Sequence, residues 1–157
     1  MSSVEKSLSV HSFANIIKSL AESLKVTPQI NLEGNIKVNK AFLTAKIPKI
    51  TLSEFFERII QYAKLDYASI ICLFIYIERI SEKIELTWFN IHKIIIASML
   101  AAVKMNQDEI FPNSYYAKVG GICLDEINFI ELSFYNLIKY DLHIDVGCYQ
   151  EYERLCQ

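Results

Sequence analysis

From Ile94 to Val103 the chain is apolar at every position except Ser98, and Lys104 closes the run. This stretch sets the tightest constraint on the fold. A helix that is apolar all round has no face to give to water and is buried on all sides. The run is too short to span a bilayer, which takes ~20 apolar residues. Extended to its polar flanks, Trp88 to Gln107 predicts a helix threaded through the middle of a helical domain. One cation sits at its far end with no obvious partner nearby in the sequence.

The segments on either side supply the packing. Leu8, Phe13, Ile16, Ile17, Leu20 and Leu24 repeat at helical spacing, which predicts an amphipathic first helix ended by Pro28. Residues 28–48 hold Pro28, Gly34 and Pro48 with weak periodicity and read as a linker. Thr51-Leu52-Ser53-Glu54 has the form of a capping box. Leu52, Phe55, Phe56, Ile59 and Ala63 then share one face of a helix ending near Leu65. Ala68 to Ile77 is apolar but for Ser69, which predicts a second buried helix with Asp66 as its N-cap. Thr87 is the expected cap of the central helix, and His92 in its first turn is expected at the surface or in a capping role. Tyr115 to Val119 forms a short helix stopped by Gly120-Gly121. Cys123 to Lys139 forms a longer one, with Ile127, Ile130, Phe134 and Leu137 on one face. Tyr149, Tyr152 and Leu155 at helical spacing close the chain.

Composition narrows the class further. Only four Gly and three Pro in 157 residues favour long helices over a turn-rich β fold. The fold class is therefore all-α. A net charge of −2 without a Lys/Arg cluster argues against a nucleic-acid partner, and no segment calls for a membrane. The cysteines Cys72, Cys123, Cys148 and Cys156 form no Cys-x-x-Cys pair and stand in no zinc spacing with His11, His92 or His143. Cys72 lies in an apolar run and reads as a buried thiol. Met1–Ser9 lacks the apolar core of a secretory signal. An intracellular chain, in the cytoplasm, the nucleus or both, is expected.

Catalytic patterns are missing. The chain has no Gly-rich phosphate loop, no Gly-x-Ser-x-Gly, no His-Glu-x-x-His and no calcium loop. Glu131 does not share a helix face with Asp125 or Glu126 at the spacing an acid/base pair needs. No enzyme, metal or cofactor is expected, and a helical binding module is the reading that remains.

Three stretches give that module a family. Ile75-Tyr76-Ile77-Glu78-Arg79-Ile80 is similar to a Tyr-Ile/Leu-Asp-Arg-Ile motif. His92-Lys93-Ile94-Ile95-Ile96, with Ala102 and Lys104, is similar to His-Arg-Leu-Leu-Ile followed by Ala-x-Lys. The most specific stretch is Asn113-Ser114-Tyr115-Tyr116-Ala117-Lys118-Val119-Gly120-Gly121-Ile122, followed by Glu126-Ile127-Asn128 and Ile130-Glu131-Leu132. Together they resemble the cyclin box, nearest to the phosphate-signalling cyclins of the P/U type. The resemblance covers about residues 48–145.

The resemblance implies a single five-helix cyclin box at 48–145. It is preceded by an N-terminal helix and linker at 1–47 and followed by a short C-terminal tail at 146–157. It implies a non-catalytic activator of a cyclin-dependent protein kinase. In that family the Lys ending the central helix and the Glu of the fifth box helix centre the kinase-binding face. By motif position these are Lys104 and Glu131, with Leu100, Val103, Phe134 and Tyr135 expected as the surrounding contact area. Two departures stand out. The family's Asp-Arg is Glu78-Arg79 here, with Lys49 as the nearest counterpart of the Asp's usual Arg partner, and the fifth helix starts on Cys123 instead of Ser or Thr. A cyclin-fold transcription factor or scaffold is the alternative. It normally carries two boxes and a basic surface, which the charge of −2 does not match.

Overall fold

The computed structural model describes residues 3–24 and 40–156, with side chains from Phe13 and from Ala41 onward in the two stretches. The expected stop at Pro28 and most of the expected linker lie outside them. The helices are α1 (Ser3–Ser23), α2 (Leu52–Tyr62), α3 (Tyr67–Ser81), α4 (Ile91–Asn106), α5 (Asn113–Gly120), α6 (Leu124–Leu137) and α7 (Val146–Leu155), with a 3-10 turn at Lys40–Phe42. No β-strand occurs among the described residues.

The central run behaves as its composition demands. Every residue of α4 from Ile94 to Val103 is buried, and α2, α3, α5, α6 and the 3-10 turn all pack against it. The pairing of α3 with α4 is the most extensive, because α3 is apolar on nearly every side too: Ser69 to Ile77 is buried without interruption. α1 places Phe13 against the rings of Tyr67 and Phe74, and Phe56 stacks on Phe74 as well. The N-terminal helix thus shares one core with the box. The C-terminal segment forms α7, with Asp145 accepting from the Cys148 N–H as its N-cap, and packs on α3.

Local signals fix the element ends. Thr51 Oγ1 accepts from the Glu54 N–H at 3.2 Å, and the Glu54 carboxylate accepts from the Thr51 N–H at 3.3 Å. This is the reciprocal box expected from the sequence. Asp66 caps α3 through the Ser69 N–H at 2.8 Å. Thr87 is not the cap of α4. The N-cap position is Asn90, whose side chain turns back to accept from the Thr87 N–H and to donate to the Glu85 carbonyl. Cys123 occupies the N-cap of α6 without a side-chain bond. α5 ends at Gly121 in the left-handed region, φ 75°, where a Cβ is unfavourable. Gly120 matters for a different reason: a Cβ there would lie 2.6 Å from Ile96 Cδ1, so the α5–α4 crossing needs glycine.

Candidate functional site

Lys104 is the basic residue in the last turn of α4, where the helix C-terminal dipole favours a cation. Its partner comes from a different helix. Lys104 Nζ lies 2.7 Å from Glu131 Oε2, and the side chains are 32% and 14% exposed respectively. α5 and α6 complete the cluster. Asn113 Nδ2 donates to Glu131 Oε1 at 3.1 Å and to Asn128 Oδ1 at 2.8 Å, and the Tyr135 hydroxyl donates to Glu131 Oε2 at 3.2 Å. Burial, then the charge and hydrogen bond of Glu131, push the Tyr135 hydroxyl well above its ordinary pKa. The phenol therefore stays protonated and remains a donor to the carboxylate.

The two charged groups differ in what they have left to offer. Glu131 accepts from three donors on its two oxygens, two of them from residues other than Lys104. The Lys104 ammonium has three N–H donors, and Glu131 is its hydrogen-bond acceptor within the protein. The carboxylate acts as a brace that aims the ammonium outward.

Three of the expected contact residues lie elsewhere. Leu100, Val103 and Phe134 are all 0% exposed. They belong to the core beneath the site and present no surface to a partner, which corrects the sequence expectation. Their role is to hold α4 against α6. Tyr135 is half-buried and does reach the cluster. The exposed apolar side chains of these segments are residues the sequence reading did not select: Met105 next to Lys104 in the chain, Ile110 in the following loop, and Phe129 and Leu132 on α6, each between 45% and 59% exposed. The sequence did carry a signal for the last two. Ile127, Ile130 and Phe134 form the buried stripe of α6, and Phe129 and Leu132 fall outside it. No such signal existed on α4, where all sides are apolar.

Other expectations resolve differently. His92 is buried, not a surface residue or cap, and its ring packs edge-on against Phe55 at 4.9 Å. Glu78 and Lys49 are both exposed, and among the described residues no acid pairs with Arg79. It donates to the backbone carbonyls of Asp141 at 3.0 Å and His143 at 2.6 Å, with its guanidinium over the Tyr76 ring. Arg79 thereby straps the segment before α7 onto α3. Tyr116 is fully buried and its hydroxyl accepts from the Phe111 N–H, while the Tyr115 hydroxyl donates to the Tyr62 carbonyl. Both anchor α5. Cys72 is buried as expected, and all four cysteines are free. Among the described residues no His/Cys/Asp/Glu group is arranged to hold a metal, and no helix is long and apolar enough to cross a membrane.

A second Lys–Glu pair joins α4 to α6. Lys93 pairs with Glu126 and also donates to the Leu43 carbonyl at 2.9 Å, so two of its three N–H donors go to internal partners.

Comparison with known proteins gives this architecture a family. The Cyclin family model matches residues 7–142. Cyclin-U4-3 of Arabidopsis thaliana is 37% identical over 108 residues, covering 67% of this chain and 49% of that protein. PHO85 cyclin-like protein psl1 of Schizosaccharomyces pombe is 36% identical over 115 residues, or 71% of this chain and 47% of that protein. Cyclin-P4-1 of Oryza sativa subsp. japonica is 32% identical over 115 residues, or 71% and 54%. The chain spans about half the length of these relatives. With a family match that takes in most of α1 and all five box helices, and relatives named as U- and P-type cyclins, the chain belongs to the cyclin family.

Proposed function

We propose that this chain is the regulatory subunit of a cyclin-dependent protein kinase, and that the Lys104–Glu131 pair centres the surface that binds it. The observation that carries the reading is the braced ammonium. Lys104 is oriented by a carboxylate that also accepts from Asn113 and Tyr135 and keeps unspent N–H groups, and its chain neighbour Met105 and Glu131's neighbour Leu132 are exposed. A lysine desolvated at an interface needs acceptors around it. Backbone carbonyls of a partner helix supply them, and Met105, Ile110, Phe129 and Leu132 supply apolar area. Regulatory interfaces of this kind often bury ~2,000 Å² or more.

The mechanism is a population shift that requires no catalytic residue in this chain. A protein kinase is active when its β3 lysine is paired with a glutamate of the kinase C-helix. A subunit that binds only the C-helix-in arrangement favours it by the difference in affinity between the two states. A hundredfold preference is worth about 2.7 kcal/mol. This role places the chain inside the cell, in the cytoplasm or the nucleus.

The test is recovery of kinases on the immobilised chain, identified by mass spectrometry, followed by assay of kinase activity with and without added chain. Wild type is expected to recover a cyclin-dependent kinase and raise its activity. Lys104→Glu and Glu131→Lys are each expected to reduce recovery at least tenfold. Equal recovery by both variants removes the pair from the interface. Recovery of DNA and no kinase favours a cyclin-fold transcription factor instead.

A further inference from the structure

The opposite end of α4 opens onto a cavity that the Lys104 cluster does not touch. It encloses about 440 Å³, and Ile50, Phe55, Ile96 and Ile122 form its apolar wall. Lys46, Arg58, Lys93 and Glu126 supply the charges, and His92 lies against it. Glu126 is neutralised by Lys93, whose ammonium also serves the Leu43 carbonyl. Arg58 gives one guanidinium N–H to the Lys118 carbonyl at 3.2 Å. Among the described residues no carboxylate pairs with Arg58 or Lys46. The cavity is therefore apolar on one side and carries excess positive charge on the other.

Two further observations point to a missing ligand. His92 is 4% exposed, and neither ring nitrogen makes a hydrogen bond of good geometry, a weak contact with the Ile50 backbone being all that the protein offers the ring. An unsatisfied buried polar group costs ~1–3 kcal/mol, and native structures retain few of them. Burial holds the imidazole below its ordinary pKa, with partial relief from the Ile50 backbone. The ring is neutral at physiological pH and offers one donor and one acceptor. In addition, α4 begins beside the cavity with no side-chain bond at its N-cap. The anion near the helix start, where a partial positive charge develops, is Glu126, which is already paired with Lys93.

We propose that this cavity binds a small amphipathic organic anion. Its apolar body lies against Phe55 and the isoleucines. Its anionic oxygens, of a carboxylate or a phosphate ester, meet Arg58 and Lys46, and the His92 ring orients it. The volume falls within the ~300–1,000 Å³ usual for small-molecule sites, which are mostly apolar with a few placed polar groups. Guanidinium suits either oxyanion. His92 and Lys104 are separated by about 18 Å along the helix axis, so a bound anion leaves the Lys104 surface free. The inference does not rest on the kinase reading.

NMR titration of the full chain tests it, following the His92 ring resonances, which His92→Gln assigns. Benzoate and phenyl phosphate are the probes, with benzamide and benzyl alcohol as neutral counterparts. At least one anion is expected to shift the His92 signals saturably and to bind at least tenfold more tightly than its neutral counterpart. Arg58→Gln should weaken that binding at least tenfold, and the exposed Lys46→Gln at least threefold, at unchanged melting temperature. The stronger anion identifies the oxyanion. The proposal is overturned if neither anion moves His92, if neutral and charged probes bind alike, or if both variants bind as wild type does. Binding of an acidic peptide where both anions fail also overturns it and gives the cavity to a protein partner.

Discussion

The two ends of α4 use the same pair of residue types for opposite purposes. At the start of the helix, Lys93 is the more buried partner, 14% exposed against 32% for Glu126. At the end, Glu131 is the more buried, 14% against 32% for Lys104. Where the lysine is buried, two of its three donors go to a carboxylate and a loop carbonyl, and the pair closes the structure around Leu43. Where the glutamate is buried, Asn113 and Tyr135 add their donors to it and the ammonium is left partly in water. The lesson is that a salt bridge on one helix pair is structural or functional according to which partner keeps spare hydrogen-bonding capacity.

The strongest way to break this contrast is to damage the shared core. Phe134 is fully buried under the Lys104 end, and Phe134→Ala is expected to cost about 3–5 kcal/mol in urea unfolding. Kinase recovery should then fall in proportion to the unfolded fraction. Loss of recovery without loss of stability would return Phe134 to the interface. Leu132→Asp is the next test, because Leu132 is 53% exposed on α6. It should reduce kinase recovery at least tenfold, about 1.4 kcal/mol, while stability changes by no more than ~0.5 kcal/mol. Unaltered binding would show that the partner does not cover α6.

Lys93→Met sharpens the contrast from the other end. It leaves the Leu43 carbonyl and Glu126 without their donor. The expected loss is about 1–3 kcal/mol, towards the lower value because Glu126 keeps a third of its surface in water. Lys104→Met should cost no more than ~1 kcal/mol as a partly exposed pair. Equal losses would mean that the two ends do not differ in role.

The smallest effect concerns acid. Burial lowers the His92 pKa below its usual 6.5. The unfolded chain therefore takes up a proton at this site before the folded chain does. The contribution of neutral His92 is fully present above pH 6.5 and is lost as pH falls towards the folded value. His92→Phe should flatten the decline in melting temperature between neutral pH and pH 5. A parallel decline in both proteins would show that the acid sensitivity lies elsewhere.

Much of the fold was legible in the sequence because it depends on local rules. The capping box at Thr51, the Asp66 cap and the glycine stop after α5 each satisfy helix-end groups within a few residues. The buried runs of α3 and α4 need only composition to be recognised. Residue roles between helices were less legible. Asn90 and not Thr87 organises the start of α4, because the Asn90 side chain turns back to the preceding loop. Leu100 and Val103 sit next to Lys104 in sequence, yet a helix apolar all round gives no hint of which side meets a neighbour. The motif around Glu78-Arg79 did not show what Arg79 holds, and long-range folding delivered two backbone carbonyls to it.

By itself the sequence determined that the chain is all-helical, that one helix runs through its centre, and that Lys104 ends that helix beside a motif containing Glu131. Periodicity, capping and composition act over a few residues, so they are written locally. Only the tertiary structure decided that Glu131 meets Lys104 at 2.7 Å, that the carboxylate is the buried partner, and that Leu132 and Phe129 face water while Phe134 does not. Those facts depend on how α4, α5 and α6 cross. The crossing is set by packing among residues far apart in sequence, such as the bare Cα of Gly120 against Ile96.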